Sequence, residues 1–140
     1  MQLALIPSAQ FKAMSESTGI STGECHNAVR RLRLAQLLMP GERRPSTDAL
    51  HEFCVHGVPF AFPATRGPSV PGVPTGHSSP AFRAIVDSPD IVVWPHAGGS
   101  VRGESIIPLY PALPILSERN PALYELLTIV DALRVGTTRR

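Results

Sequence analysis

Proline constrains the fold of this chain more than any other residue type. The 140-residue sequence holds 15 prolines, and all but Pro7, Pro40 and Pro45 follow Val58. Because proline lacks a backbone N–H and interrupts helices and central strands, the second half is expected to be rich in loops and extended segments. The chain is therefore expected to divide into an N-terminal module, a Pro- and Gly-rich linker or strap, and a C-terminal dimerisation or partner-binding region: 1–62, 63–80 and 81–140.

The composition excludes several classes of protein. With 43% hydrophobic and 17% charged residues, the chain is expected to be globular and not a disordered polyelectrolyte. No apolar run reaches the roughly 18 residues of a membrane span, and no signal peptide with a basic start is apparent, so a cytoplasmic location is expected. Cys25 and Cys54 occupy apolar helix positions outside any disulfide-framework pattern.

Positive charge is concentrated towards the N-terminus. Residues 1–44 contain six basic and three acidic side chains, a balance of +3; the whole chain has a net charge of +2, so the remainder carries −1. Excess positive charge in one compact segment favours a partner with a phosphate backbone.

The N-terminal third predicts a series of short helices. Ser8 is expected to cap a helix over 9–18, which Gly19 ends. Ser21–Glu24 has the pattern of a capping box and begins the next helix, expected over 22–36. Four apolar residues then recur at helical spacing as a core-facing stripe: Cys25, Ala28, Val29 and Leu32.

The outer face of this second helix is chemically suited to DNA. With the stripe facing inward, Gly23, Asn27 and Arg30 point away from the core at about 100° per residue. Asn can pair bidentately with adenine and Arg with guanine, so we predict a helix-turn-helix whose second helix reads the major groove. The predicted DNA-contacting residues are Thr22, Gly23, His26, Asn27, Arg30, Arg31, Arg33, Arg43 and Arg44.

The segment from Thr18 to Leu38, TGISTGECHNAVRRLRLAQLL, resembles the central signature of MarR-like winged helix-turn-helix regulators. In that family a Gly-Ile-Ser turn precedes the recognition helix, which ends in Leu, two variable residues and Ala-Gly-Leu-Leu. The resemblance covers the N-terminal module and implies a bacterial transcriptional regulator acting as a homodimer on a palindromic operator. Gln36 replaces the usual glycine, and Leu34 replaces a residue that is normally charged.

The expected wing is much reduced. Only Pro40–Pro45 separates Met39 from a further helix, which Ser46 or Thr47 begins and Gly57 ends. Arg43 and Arg44 could still reach phosphate from this short segment. Alternatively, Val58–Phe62, which alternates as a half-buried edge strand does, could pair with Leu37–Met39.

The C-terminal half predicts loops, short strands and one long helix. The segment 63–80 is expected to be loop, Phe82–Val86 a short helix and Ile91–Trp94 a strand. Asn120 and Pro121 start a helix that runs to about Val135. Five leucine and valine residues give that helix an amphipathic face, which packs either on its own chain or on a second subunit: Leu123, Leu126, Leu127, Val130 and Leu133.

Other kinds of site are not expected. His51, Cys54, His56 and His77 are scattered, and His51 and His56 lie on different faces of their helix, so no metal site is predicted. No cofactor is expected, and no Ser-His-Asp, Cys-His or paired-carboxylate arrangement indicates catalysis. The glycine-rich segment 98–103 could cradle an anion, but a hairpin turn after the Ile91–Trp94 strand explains it more simply.

The sequence thus predicts a mainly helical α+β protein with an N-terminal (winged) helix-turn-helix, functioning as a sequence-specific double-stranded DNA-binding regulator, a repressor by preference. The alternative is a protein-interaction module without DNA binding, such as the antitoxin partner of a toxin. A third hypothesis places an effector pocket among four aromatic residues of the C-terminal half: Phe60, Phe62, Trp94 and Tyr110.

Overall fold

The computed structural model describes residues 1–137 and has a mixed α+β fold with a small three-stranded sheet. The last residues of the expected C-terminal region, 138–140, lie outside the described part. The chain forms two compact units that meet in sequence between Phe53 and Cys54, earlier than the expected boundary at Phe62.

The first unit is helical. Its elements are α1 (Gln2–Leu5), α2 (Phe11–Thr18), α3 (Thr22–Leu34) and α4 (Thr47–Glu52). Gln10, and not the expected Ser8, precedes α2. Ser46 caps α4 as expected, since its Oγ accepts a hydrogen bond from Ala49 N at 3.4 Å. The core of this unit is apolar throughout and consists of Leu3, Ala9, Met14, Cys25, Val29 and Leu38.

The second unit combines a sheet with helices. Its elements after a π-helical turn (Phe53–Gly57) are α5 (Val58–Ala61), β1 (Arg66–Pro74), a 3₁₀ turn (Gly76–Ser78), α6 (Pro80–Arg83), β2 (Val92–Pro95), β3 (Val101–Ile106), α7 (Leu113–Arg119) and α8 (Pro121–Thr137). The expected strand at Ile91–Trp94 is confirmed in β2. The expected start of α8 is also confirmed, because Asn120 Oδ1 accepts from Leu123 N at 3.2 Å.

Two expectations about the segment 58–80 are wrong. Val58–Phe62 is not an edge strand, because it contains α5, in which Pro59 occupies the first turn, where proline is well tolerated. The segment 63–80 is not a loop, because it contains the longest strand, β1. The pairing of β1 with β3 shifts register between Arg66 and Ser69, an irregularity that accommodates Pro68.

The sheet closes on itself. Strand β1 is antiparallel to both β2 and β3, which are parallel to each other. The expected hairpin turn at 98–103 is therefore wrong. Glycine is needed there for close packing, since a Cβ on Gly99 would lie 2.3 Å from the Cα of Gly72.

A buried polar cluster links the helices of the second unit to its sheet. Asp131 on α8 accepts hydrogen bonds from Thr75 Oγ1 at 2.7 Å and from Trp94 Nε1 at 2.6 Å. Its other carboxylate oxygen pairs with Arg134 Nη1 at 2.6 Å. Arg134 also donates to the carbonyl oxygens of Phe62 and Ile107. One turn of α8 thereby fixes four other segments of this unit.

The long helix α8 packs on its own chain within the second unit. This is one of the two arrangements that the sequence left open. Leu123 and Val130 are buried in its predicted stripe, and the polar residues Thr128, Asp131 and Arg134 are buried with them. Within residues 1–137, no helix is long and apolar enough to cross a membrane.

Candidate nucleic-acid interface

The connection between α2 and α3 has the local geometry that its sequence requires. Gly19 ends α2 in the left-handed region with φ of 72°, a conformation that glycine adopts without steric cost. Ile20 follows and packs against the apolar core of the first unit. Ser21 then caps α3, since its Oγ accepts a hydrogen bond from Glu24 N at 3.2 Å. Two short helices are thereby joined by a three-residue turn, residues 19–21.

The two faces of α3 separate as predicted. Cys25 and Val29 are buried, with 3% and 4% of their surface exposed. Gly23, Asn27 and Arg30 are exposed on the opposite face. The 13 residues of α3 extend for about 20 Å, which is long enough to lie along a major groove.

A carboxylate that sequence reasoning did not include lies among the predicted contacts. Glu24 does not complete the capping box, because its carboxylate pairs instead with Arg31 Nη2 at 2.5 Å. The hydrogen bond and charge of Arg31 lower the pKa of Glu24, and a hydrogen bond from the Asn27 side chain contributes in the same direction. The spacing of three and seven residues places these groups on one side of α3, and it is the sequence signal that could have identified Glu24.

His26 and Arg43 are occupied by an aromatic contact. The rings of His26 and Phe11 stack with their centroids 3.6 Å apart, and the Arg43 guanidinium lies 5.0 Å from the centroid of the same Phe11 ring. The Nη1 atom of Arg43 is buried and has no hydrogen-bonding partner among residues 1–137. These contacts join α2, α3 and the segment after α3, and they hold the guanidinium of Arg43 against the ring of Phe11.

The segment that was expected to be a reduced wing forms a minimal hairpin. Leu38 and Pro45 make an antiparallel bridge, and Met39 N donates to Arg44 O at 2.8 Å. The alternative pairing of Leu37–Met39 with Val58–Phe62 is wrong, because that second segment is helical. Arg44 pairs with Glu42 at 3.1 Å, with both side chains more than half exposed.

Gln36, at the position where the sequence resemblance predicts glycine, has a backbone conformation that glycine favours. Gln36 has φ of +56°, and among residues 1–137 no other residue except glycine has a positive φ. A side chain in this left-handed region costs roughly 1–2 kcal/mol. The turn after α3 therefore carries backbone strain at Gln36.

The structure sorts the nine predicted contacts by availability. Arg31 and Arg44 are paired with carboxylates, and His26 and Arg43 contact Phe11. Five residues are exposed and make neither an ion pair nor a ring contact: Thr22, Gly23, Asn27, Arg30 and Arg33. Leu34, with 80% of its surface exposed, extends this face by an apolar residue that sequence reasoning did not assign to it.

The other candidate sites do not assemble. Within residues 1–137, no three His, Cys, Asp or Glu side chains are placed to hold a metal ion. Burial raises the pKa of both thiols, Cys25 and Cys54, so neither has the lowered pKa of an activated nucleophile. Phe60 is 78% exposed whereas Trp94 is fully buried, so the proposed aromatic effector pocket is not formed.

Comparison with known proteins assigns no relative. No protein family matches the chain significantly, and neither does any curated protein or solved structure.

Proposed function

We propose that this protein is a transcriptional regulator that binds double-stranded DNA and reads the major groove with α3. The observation that carries the proposal is the outer face of α3, where Gly23, Asn27 and Arg30 are exposed opposite the buried Cys25 and Val29. This is the division of faces that a recognition helix needs, because one face must pack on its scaffold while the other meets base edges.

The chemistry of this face supports base reading. Arg30 has no ion-pair partner among the described residues, so its guanidinium is available for the two acceptors of guanine. The exposed amide of Asn27 carries the N–H donor and the carbonyl acceptor that are needed to pair with adenine. Glu24 lies beside this residue, since the Asn27 side chain contributes to lowering the pKa of Glu24. Glu24 also holds the guanidinium of Arg31 in an ion pair.

Phosphate contacts would surround this centre. Thr22 and Arg33 are exposed at opposite ends of α3, where the backbones of a groove-bound duplex pass. Arg44 on the minimal hairpin adds a further cation, although it must first leave Glu42. With so short a hairpin, affinity would depend on a homodimer that contacts two half-sites about 34 Å apart.

Selection of sequences from a random duplex pool, followed by binding measurements on the selected site, tests this function. We expect Asn27→Ala with Arg30→Ala to remove sequence preference, since each bidentate contact discriminates by about 1–3 kcal/mol. Arg119→Ala, which removes an exposed cation from α7, is the matched control and should bind like the parent. If the double variant selects and binds the same sequences as the parent, the assignment of α3 as the recognition helix is wrong.

The exposed Leu34 favours the competing function, a protein-interaction module such as an antitoxin. An apolar side chain with 80% exposure at the end of the same face is unusual for a surface that meets only phosphate and bases. One further variant, Leu34→Glu, separates the two functions, because it should abolish binding of a protein partner. If the parent protein selects no DNA sequence at any salt concentration, the proposed regulator function is wrong.

A further inference from the structure

The C-terminal unit contains a concave site of its own. It is a pocket of about 380 Å³ between the start of α6, the end of α7 and the first turns of α8. That volume is in the lower part of the range of small-molecule sites. Its lining residues are Ser79, Pro80, Ala81, Ser117, Pro121, Tyr124, Glu125 and Thr128.

One polar atom in this pocket has no partner within the protein. Ser79 is completely buried, and among residues 1–137 its Oγ makes no hydrogen bond. Ser79 precedes α6 but does not cap that helix with its side chain. A buried hydroxyl without a hydrogen bond destabilises a folded protein, so a serine at this position is unfavourable for folding alone.

The other hydroxyl groups of the pocket have already donated their single hydrogen. Ser117 Oγ donates to Pro114 O at 3.1 Å, and Thr128 Oγ1 donates to Glu125 O at 2.8 Å. Tyr124 Oη donates to Pro74 O at 2.5 Å. The oxygens of Ser117 and Tyr124, which are only partly buried, therefore present lone pairs and no hydrogen to a ligand, whereas Thr128 is completely buried. Together with the exposed carboxylate of Glu125, the accessible polar side chains of the lining are hydrogen-bond acceptors.

We propose that this pocket binds a small organic cation with N–H donors, an alkylammonium or alkylguanidinium. The N–H groups would donate to Ser79 Oγ and to the hydroxyl oxygens, and the carboxylate of Glu125 would balance the charge. The rings of Pro80 and Pro121 supply apolar walls for the alkyl chain, and the ring of Tyr124 can face the cation. This inference concerns ligand binding alone and does not depend on DNA binding.

The charge near the pocket limits the ligand to a single cationic head. Burial raises the pKa of Tyr124 to about 12, while the charge of nearby Arg83 acts in the opposite direction. Arg83 is not among the lining residues, whereas Glu125 is. One carboxylate beside one peripheral guanidinium favours a monovalent cation and disfavours a polyamine.

Titration of the ¹⁵N-labelled full chain with n-butylammonium, n-butanol and butyrate tests the proposal. These probes share an alkyl chain and differ in head group. We expect saturable amide shifts around Ser79, Ser117 and Tyr124 with n-butylammonium, at least tenfold weaker binding of n-butanol, and no binding of butyrate. Equal binding of n-butanol, binding of butyrate at these amides, or absence of saturable shifts with n-butylammonium overturns the proposal.

Three variants distinguish a ligand site from a packing defect. Glu125→Gln should weaken n-butylammonium binding at least tenfold, and Ser79→Ala about threefold to tenfold. Glu118→Gln, an exposed carboxylate on α7 outside the lining, is the matched control and should bind like the parent. Ser79→Ala should unfold at the same temperature as the parent or higher, because an unpartnered hydroxyl is removed. If Glu118→Gln and Glu125→Gln weaken n-butylammonium binding equally, the effect is one of overall charge, and the proposed site is wrong.

Discussion

The two units place their charges in opposite ways. In the first unit the core is apolar, and the charged groups of α3 lie on its surface, with Arg31 and Glu24 61% and 46% exposed. In the second unit Asp131 and Arg134 are buried at the centre, with side chains 1% and 3% exposed. Surface charges contribute little to stability, whereas a buried pair that loses one partner is strongly destabilised. Changes to the surface charges of the first unit should therefore cost little stability, whereas changes to the buried pair of the second unit should cost much more.

The largest expected effect comes from breaking the buried pair. Asp131→Asn removes the counter-charge of Arg134 and weakens the hydrogen bonds from Thr75 and Trp94. We expect the free energy of unfolding of the second unit to fall by about 3–5 kcal/mol. Trp94 is the single tryptophan of the chain and lies beside Asp131, so its fluorescence in a urea titration reports this unit directly.

The matched change in the first unit is Glu42→Gln, which breaks the exposed pair with Arg44. We expect it to lower the free energy of unfolding by less than about 1 kcal/mol. Far-ultraviolet circular dichroism in a urea titration measures this change. Similar losses for Asp131→Asn and Glu42→Gln would remove the contrast between the units.

The next effect depends on pH. Burial raises the pKa of Tyr124 from 10.0 to about 12. The folded protein therefore holds this proton more tightly than the unfolded chain does, and the associated stability, present below pH 10, is lost as the pH rises towards 12. We expect this loss of stability to be on the order of 2 kcal/mol, which is in keeping with the size of the shift in the pKa of Tyr124.

The comparison with Tyr124→Phe isolates this contribution from other groups that titrate in alkali. The variant lacks the ionisable hydroxyl and the hydrogen bond to Pro74 O. Its free energy of unfolding, measured by urea titration at several pH values, should decline less steeply than that of the parent between pH 10 and 12. Parallel pH profiles of parent and variant would show that Tyr124 ionises equally in both states.

The smallest effect concerns the turn after α3. Gln36 has φ of +56°, so Gln36→Gly should relieve backbone strain and stabilise the first unit by about 0.5–1 kcal/mol after the entropy cost of glycine is deducted. Gln36→Ala keeps the Cβ and should bring no such gain. Calorimetry of both variants measures the difference, and equal melting temperatures would show that the strain is negligible.

Sequence reasoning succeeded where the structure depends on local interactions. The turn at Gly19, the cap at Ser21 and the buried stripe of α3 follow from residues a few positions apart, and all were predicted. The exposed positions of Asn27 and Arg30 followed from the same periodicity. Whether they contact DNA stays a prediction.

Sequence reasoning failed where the structure depends on distant partners. Strand β1 contains Pro68, Pro71 and Pro74, a pattern typical of loops, and it is ordered by pairing with strands far along the chain. The polar face of α8 was also missed, because Asp131 and Arg134 look like surface residues until Trp94 and Thr75 are known to meet them. The pocket beside Ser79 depends on three separate helices, and no local pattern indicates it.

The proposed contact between the outer face of α3 and DNA is tested most directly by the salt dependence of binding. The logarithm of the association constant should fall linearly with the logarithm of salt concentration, with a slope of about −0.9 for each phosphate neutralised. Measured by fluorescence anisotropy on one selected duplex, Arg33→Gln should make the slope shallower by about one phosphate, while Arg119→Gln should leave it unchanged. Identical slopes for the parent, Arg33→Gln and Arg119→Gln would contradict the proposal that α3 contacts DNA.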